Sequence, residues 1–189
     1  MIASLSGAIV AGTSDRVVLQ VGGVGFEVRV TPSTRAEIGR AGTEATLHTH
    51  LHVREDALEF YGFTAASDRD LFRLLLTASG VGPKVAMAVM GALTADEIRR
   101  AVIAEDAAAL TVVPGIGTRS AQKLILELRP KLAGAEADMM GGAALSRVRE
   151  ALEGLGYAAD EIHEVVGSLP PDAPIEDNLR MALKALGRR

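Results

Sequence analysis

The chain has 189 residues, of which 48% are apolar and 3% aromatic, and its formal net charge is −4. This length and composition allow one or two globular domains, and so few aromatic rings disfavour a pocket that stacks several flipped bases. The absence of cysteine excludes disulfides, thiolate zinc sites and cysteine nucleophiles, and it fits a cytoplasmic location.

Residues 1–63 show the pattern of short β-strands. β-Branched and aromatic residues alternate with other residues, as from Val24 to Val30, and Gly22 and Gly23 between two such runs predict a tight hairpin. The N-terminal run lacks the basic start of a signal peptide, so we interpret it as a strand. Five strands in so short a segment favour a closed barrel of the OB type. The expected strands cover residues 2–10, 16–21, 24–31, 44–53 and 57–63.

The rest of the chain is predicted to be helical. From Ser67 to Lys131 apolar residues recur with helical spacing. Glycines and a lack of large apolar groups predict a flexible linker at residues 135–142. Three short helices follow, separated near Gly156 and at the Pro170-Pro171 turn. The sequence thus predicts a multidomain α+β protein with a barrel at residues 1–63, a helical domain at residues 64–134 and a three-helix bundle at residues 143–189. No run is long and apolar enough to span a membrane.

The three parts differ in the sign of their charge. Residues 64–134 carry nine basic and seven acidic side chains, whereas residues 1–63 carry five and seven, and residues 135–189 carry six and ten. Because phosphate attraction is screened beyond about 8 Å at physiological salt, a small basic surface can bind DNA within an acidic protein. The middle part is therefore the candidate DNA-binding region.

An internal repeat lies in this middle part. The segment that begins at Gly80, GVGPKVA, recurs 35 positions later as GIGTRSA from Gly115. Each copy predicts a helix, a tight Gly-hydrophobic-Gly turn, and a second helix with a cation in its first turn. The glycines permit unusual turn angles and close approach of a phosphate, and the N–H groups at the start of the second helix meet the phosphate. Such a site reads the DNA backbone and not the bases.

The repeat defines the candidate DNA-binding residues. A single Gly-x-Gly can be a simple corner between helices, but two copies that both present a cation favour DNA binding. Neither copy fits a dinucleotide loop or a Walker loop. Lys123 follows Arg119 by one helical turn on the same face. The expected contacts are Ser79, Gly80, Val81, Gly82, Pro83, Lys84, Pro114, Gly115, Ile116, Gly117, Thr118, Arg119 and Lys123.

Taken together, this organisation resembles the RuvA family. The motifs VGGVGFEV from Val21, VREDA from Val53, YGF from Tyr61 and LGY from Leu155 carry the resemblance over the whole chain. It implies an OB barrel, tandem helix-hairpin-helix motifs and a UBA-like C-terminal bundle. It further implies a tetramer, or an octamer of two tetramers, that holds a Holliday junction open and flat and recruits the hexameric RuvB ATPase, with the RuvC resolvase as a further partner.

The resemblance also assigns roles to individual residues. Glu55 and Asp56 match the family's acidic pin, whose charge keeps duplex away from the junction centre. Many relatives place lysine where this chain has Thr118, so Arg119 and Lys123 are expected to supply the charge of the second hairpin. The resemblance implies that the tail docks the motor through an exposed apolar patch drawn from Leu152, Leu155, Tyr157, Leu183 and Leu186. The alternative is that so small a bundle buries all of them in its core.

Other chemistries fit the sequence less well. His48, His50 and His52 share one strand face, but neighbours on that face stand about 7 Å apart, too far for one zinc ion, so no metal or cofactor is expected. A catalytic helix-hairpin-helix protein, such as a glycosylase or a nuclease, would need a rigidly held carboxylate or lysine. Here Glu136 and Asp138 lie in the expected linker. A passive DNA clamp without a motor partner also remains open, although it leaves the tail unexplained.

Overall fold

The computed structural model describes residues 2–140, 142–170 and 173–187, with the side chains of all of these except residues 133–144 and 146. The chain divides into two compact units, Met1–Arg129 and Pro130–Arg189. The first unit contains a five-stranded barrel followed by helices, and the second is helical. The predicted α+β multidomain class is confirmed.

The five strands form a closed barrel in the order β1-β2-β3-β5-β4. All neighbouring pairs are antiparallel except β3 and β5, which run parallel and close the barrel. β1 is long enough to pair with β4 through its first half and with β2 through its second half. The strands are β1 Ser4–Gly12, β2 Arg16–Val21, β3 Val24–Val30, β4 Glu44–Val53 and β5 Leu58–Phe63.

The barrel interior follows from the alternation of the strands. Val17 and Leu19 of β2, Val28 of β3 and Leu47 of β4 are fully buried, while their sequence neighbours point outward. Between β2 and β3 the predicted hairpin is confirmed. Gly22 and Gly23 have φ values of 55° and 85°, which suit a two-residue turn and strain residues that have a Cβ.

A short helix between β3 and β4 was not predicted. This helix, α1, spans Pro32–Glu37. Thr31 caps it by accepting a hydrogen bond from the Thr34 backbone N–H at 3.2 Å, and Pro32 occupies its first turn, where the missing N–H has no cost. Six largely polar residues give no helical period that the sequence could reveal.

Five helices follow the barrel. They are α2 Ala66–Leu76, α3 Pro83–Ala92, α4 Ala95–Ile103, α5 Ala107–Leu110 and α6 Thr118–Met140. α2 packs on the barrel through Phe72, whose ring lies 5.1 Å from that of Tyr61 and 5.2 Å from that of Phe63. This aromatic contact attaches the helical part of the first unit to strand β5.

The expected linker is helical over most of its length. α6 continues to Met140, and the next helix begins at Gly142. Alanine and glutamate favour helix at residues 133–137, and this preference outweighs the glycine signal. Residue 141 lies outside the described residues, and the flexibility of this segment stays a prediction.

The expected three-helix bundle lies in the second unit. It consists of α7 Gly142–Gly154, α8 Ala159–Val166 and α9 Ile175–Leu186, around a core that includes Val148, Leu152 and Ile162. Gly156, with φ of 87°, separates α7 from α8. The turn before α9 is held by the buried Asn178, whose side-chain amide donates to the carbonyl of Pro170 at 3.0 Å.

Candidate nucleic-acid interface

The sequence repeat is also a repeat of backbone hydrogen bonds. In the first hairpin, between α2 and α3, the Val81 N–H donates to the Ala78 carbonyl at 3.1 Å; in the second, the Ile116 N–H donates to the Val113 carbonyl at 3.0 Å. The first bonds of α3 and α6 correspond in the same way: Ala86 to Gly82 at 3.0 Å and Ala121 to Gly117 at 2.9 Å. The two turns therefore share one local structure.

The two glycines of each turn differ in what they do. Gly80 and Gly115 have φ of 81° and 87°, a conformation that strains other residues. Gly82 has an ordinary φ of −90°, and positive φ is not found at Gly117. The expectation of unusual turn angles is thus right only for the first glycine of each pair. A Cβ built at Gly82 or Gly117 would meet no atom of the chain within 4 Å.

The hydrophobic residue between the glycines packs under each turn. Ile116 is buried, and Val81 is half-buried. Packing therefore anchors the second hairpin fully and the first in part. Around these residues the remaining expected contacts are exposed, apart from the half-buried Pro83.

The starts of α3 and α6 are electropositive. Neither helix has an acidic residue in its first turn, and Gly82 offers α3 no side-chain cap. By contrast, α4 begins with a Thr94–Glu97 capping box and two acidic residues. Unpaired N–H groups and the helix dipole favour an anion at such an end. Lys84 and Arg119 are exposed beside them, so each hairpin can hold a phosphate.

Three of the expected DNA-binding residues differ in the contacts that they make within the chain: Ser79, Lys123 and Thr118. The backbone N–H of Ser79 already donates to the Glu127 carboxylate at 2.6 Å, and the Lys123 ammonium lies 3.7 Å from the same carboxylate. Thr118 is exposed as the first residue of α6, where its hydroxyl can donate to a phosphate.

Glu55 and Asp56 lie in the turn between β4 and β5. The turn is closed by a hydrogen bond from the Arg54 N–H to the Ala57 carbonyl at 2.9 Å, and both acidic residues are exposed. Asp56 lies 3.7 Å from the Arg54 guanidinium, with 81% of its side chain exposed. The two carboxylates therefore protrude from one end of the barrel.

A cleft of about 620 Å³ lies between the barrel and α3. Lys84 and Arg54 both line it, as does Arg29, which pairs with Glu59 at 3.0 Å. The cleft thus connects the cation of the first hairpin with the residue next to the acidic turn. Sequence reasoning did not single out Arg29, because its neighbours in the cleft come from distant segments of the chain.

Three family models match the chain in order. The RuvA N terminal domain matches residues 1–62, the SAM-like helix-hairpin-helix tandem matches residues 72–131, and the RuvA C-terminal domain matches residues 143–187. Similar proteins include one from Mycobacterium sp. (strain KMS), 45% identical, with both chains covered completely, and one from Chloroflexus aggregans, 40% identical over 99% of each chain. A third, from Methylibium petroleiphilum, is 39% identical with complete coverage. Each is named Holliday junction branch migration complex subunit RuvA.

The chain belongs to the RuvA family. The RuvA models cover the barrel and the C-terminal bundle, and the helix-hairpin-helix model covers the repeat between them. The resemblance inferred from the motifs is confirmed, and so is the combination of an OB-type barrel, tandem hairpins and a C-terminal helical domain.

One histidine of β4, His50, packs against Phe72 of α2 in this RuvA-family chain. His50 lies 5.5 Å from the Phe72 ring and 6.3 Å from the His52 ring, measured between centroids. Burial, followed by the charges of Arg73 and His52, lowers the pKa of His50. Within the described ranges no three histidine, aspartate or glutamate side chains gather as a metal site would require.

The tail residues expected to bind a partner divide into two groups. Leu152 is fully buried in the bundle core, and Leu186 is 8% exposed. The prediction that Leu152 and Leu186 belong to an exposed patch is therefore wrong, because both side chains pack in the core of the bundle. Leu155 follows the end of α7 and is 62% exposed, while Tyr157 and Leu183 are half-buried against the core. Leu155, Tyr157 and Leu183 remain candidates for partner contact.

Proposed function

We propose that this chain is the Holliday junction-binding subunit of a branch migration complex. The observation that carries the proposal is the pair of matching hairpins, each with an exposed cation beside an electropositive helix start. Because these features are suited to binding phosphates and not bases, they fit DNA of any sequence. The names of the similar proteins, which are subunits of such a complex, support junction DNA as the ligand.

The proposed role is to hold the four-way junction open and flat, in recombination and repair. One helical domain with two excess positive charges attracts DNA weakly, whereas several copies around one junction act together. The functional assembly is therefore proposed to be a homotetramer, or an octamer of two tetramers. Glu55 and Asp56 would stand at its centre and repel duplex DNA from the crossover.

The chain is proposed to act without catalysing a reaction itself. It would recruit and stimulate the hexameric RuvB ATPase through the C-terminal bundle, and the RuvC resolvase is a further proposed partner. Residues 135–189, which include the bundle, carry four more acidic than basic side chains. This negative charge disfavours DNA as the ligand of the bundle. No helix in the described part of the chain is long and apolar enough to cross a membrane. The proposed location is the cytoplasm.

A binding comparison tests this function. The purified chain is titrated into a four-way junction and into linear duplex of equal length, at the same salt concentration, and ATP hydrolysis and DNA cleavage are measured in parallel. We expect a preference for the junction with neither reaction. Equal affinity for the two DNAs would contradict junction recognition, and cleavage or base release would favour a catalytic helix-hairpin-helix protein. Light scattering then tests the proposed oligomer. A chain that is monomeric and still prefers junctions would exclude both the tetramer and the octamer.

A further inference from the structure

A single carboxylate contacts both hairpins. One oxygen of Glu127 accepts the Ser79 backbone N–H at 2.6 Å, and the other lies 3.7 Å from the Lys123 ammonium. Ser79 stands at the first hairpin, whereas Glu127 belongs to α6, the helix that begins at the second hairpin. The contact therefore joins the two motifs through residues that are 48 positions apart in the sequence.

The repeat cannot form this contact twice. A shift of 35 positions places Pro114 at the equivalent of Ser79, and proline has no N–H to donate. The same shift places Ala92 at the equivalent of Glu127, and alanine has no carboxylate. The link is thus an asymmetric feature added to two otherwise matching turns, and the duplication alone does not explain it.

The charge of Glu127 works against phosphate binding. A carboxylate near Lys123 and the first hairpin lowers their attraction for DNA, so an interface built only for electrostatic attraction would bind more tightly without it. In the pair with Lys123 the ammonium is exposed, the Glu127 carboxylate is half-buried and the two are 3.7 Å apart, so this pair contributes little to stability. The hydrogen bond to Ser79 is charge-assisted and therefore the stronger contact. What Glu127 offers the interface is geometry.

We propose that Glu127 is a positioning residue that fixes the spacing of the two phosphate-binding hairpins. With this spacing fixed, contact of one hairpin with DNA places the other at its own phosphate, and the second contact has a smaller entropic cost. The proposal rests on the proposed DNA binding. It changes the role of Ser79, which is expected from the sequence to be a DNA contact. The N–H of Ser79 supports the arrangement of the hairpins and is not a direct DNA contact.

Four variants of the full-length chain test the proposal. Glu127→Ala removes the acceptor, Glu127→Gln keeps an acceptor oxygen without the charge, and Ser79→Pro removes the donor by copying the residue of the second hairpin. Glu153→Gln, an exposed carboxylate of the C-terminal bundle, controls for the change in net charge. Duplex and junction affinities are measured together with amide hydrogen exchange at Ser79.

The expected order of affinities separates geometry from charge. Glu127→Ala and Ser79→Pro should each weaken duplex binding about tenfold, because the spacing of the hairpins is then no longer fixed before DNA binds. The double variant should be no weaker than either single one, because both changes break the same contact. Glu127→Gln should bind at least as tightly as wild type, and the Ser79 amide should exchange faster only in the alanine variant of Glu127.

Each alternative result has a defined meaning. If Glu127→Ala and Glu127→Gln both tighten binding equally, Glu127 acts through its charge alone and the proposal fails. Additive losses in the double variant, or wild-type affinity in Glu127→Ala, also overturn it. If the Glu127→Ala variant does not fold, unchanged DNA affinity in the Ser79→Pro variant is sufficient to reject the proposal. A wild-type chain that binds no DNA would instead refute the proposed function itself.

Discussion

Gly80 and Gly115 have almost the same left-handed backbone conformation, with φ of 81° and 87°, although 35 positions separate them. Alanine at either position should destabilise the fold by about 1–2 kcal/mol, since a Cβ strains this conformation. Alanine at Gly82 or Gly117 meets no atom of the chain and should destabilise the fold by under about 1 kcal/mol, the loss expected at a helix cap. The same substitution should lower the free energy of DNA binding by more than it lowers the stability of the fold. Urea denaturation and fluorescence anisotropy with duplex DNA measure the two effects. Equal stability losses in all four variants would contradict this division.

The exposed cations should govern the salt dependence of binding. Lys84→Ala and Arg119→Ala should each weaken binding to every DNA sequence alike and lower the slope of log affinity against log salt by about one unit per lost contact. Lys184→Ala, in the C-terminal bundle, is the matched control. A loss that depends on the DNA sequence would show that bases are also read.

The acidic turn should affect the choice of DNA and not the strength of binding. Replacing Glu55 with Gln and Asp56 with Asn leaves the shape of the turn and removes two charges that repel phosphate. We expect the preference for junction over duplex to fall while duplex binding persists or tightens. A variant with Glu150→Gln and Asp160→Asn loses the same charge elsewhere. An unchanged junction preference in the Glu55 and Asp56 variant would exclude the pin role.

His50 should make the stability of the first unit depend on pH. Because burial lowers the pKa of His50 below its usual value of 6.5, the unfolded chain binds a proton at a pH where the folded chain does not. Stability is therefore complete above this value and decreases as the pH falls through it. The urea midpoint should be lower at about pH 5.5 than at about pH 7.5, and the difference should be smaller in His50→Gln. His48→Gln, on the same strand, should keep the difference. The same pH dependence in His50→Gln would show that another group is responsible.

The C-terminal bundle should be required for the motor and not for DNA. Deletion of residues 143–189 should preserve junction binding and abolish stimulation of RuvB ATP hydrolysis and branch migration. Full stimulation by the truncated chain, or loss of its junction preference, would contradict the division of labour.

Two leucines of this bundle allow a finer test. Leu155→Ala should leave the bundle folded and weaken the motor interaction, since this side chain is 62% exposed. Leu152→Ala should instead destabilise the bundle by about 2–5 kcal/mol, as for other buried leucines. Thermal unfolding of the bundle and RuvB binding are measured for both. A Leu155→Ala variant with unaltered RuvB binding would remove Leu155 from the interface.

The sequence predicted features that depend on local patterns. The strands of the barrel, the hairpin at Gly22, the two repeated turns and the split of the tail at Gly156 all follow from periodicity or from glycine. It did not predict helix α1, which is too short to show a period. Leu152 and Leu155 also look alike in the sequence, because both continue the apolar spacing of α7; only the end of the helix at Gly154 places one inside and the other outside.

Long-range contacts were beyond the reach of sequence patterns. The bond between Ser79 and Glu127 joins residues whose separation in the chain has no relation to a helical or strand period. The cleft that contains Lys84, Arg54 and Arg29 is likewise formed by α3 and by strands β3, β4 and β5, which meet only after folding. These contacts depend on how the hairpins and the barrel pack within the first unit.

The parallel pairing of β3 and β5 has a consequence for self-association. Because it closes the barrel, each of the five described strands has a hydrogen-bonded neighbour on both sides. A sheet with free edges can add strands from another molecule, which leads to strand exchange and fibres. The surface that this barrel presents to other copies consists of side chains and turns, such as the turn at Glu55. The proposed assembly would therefore depend on surface complementarity, and copies brought together on DNA, as proposed, would have little tendency to join edge to edge.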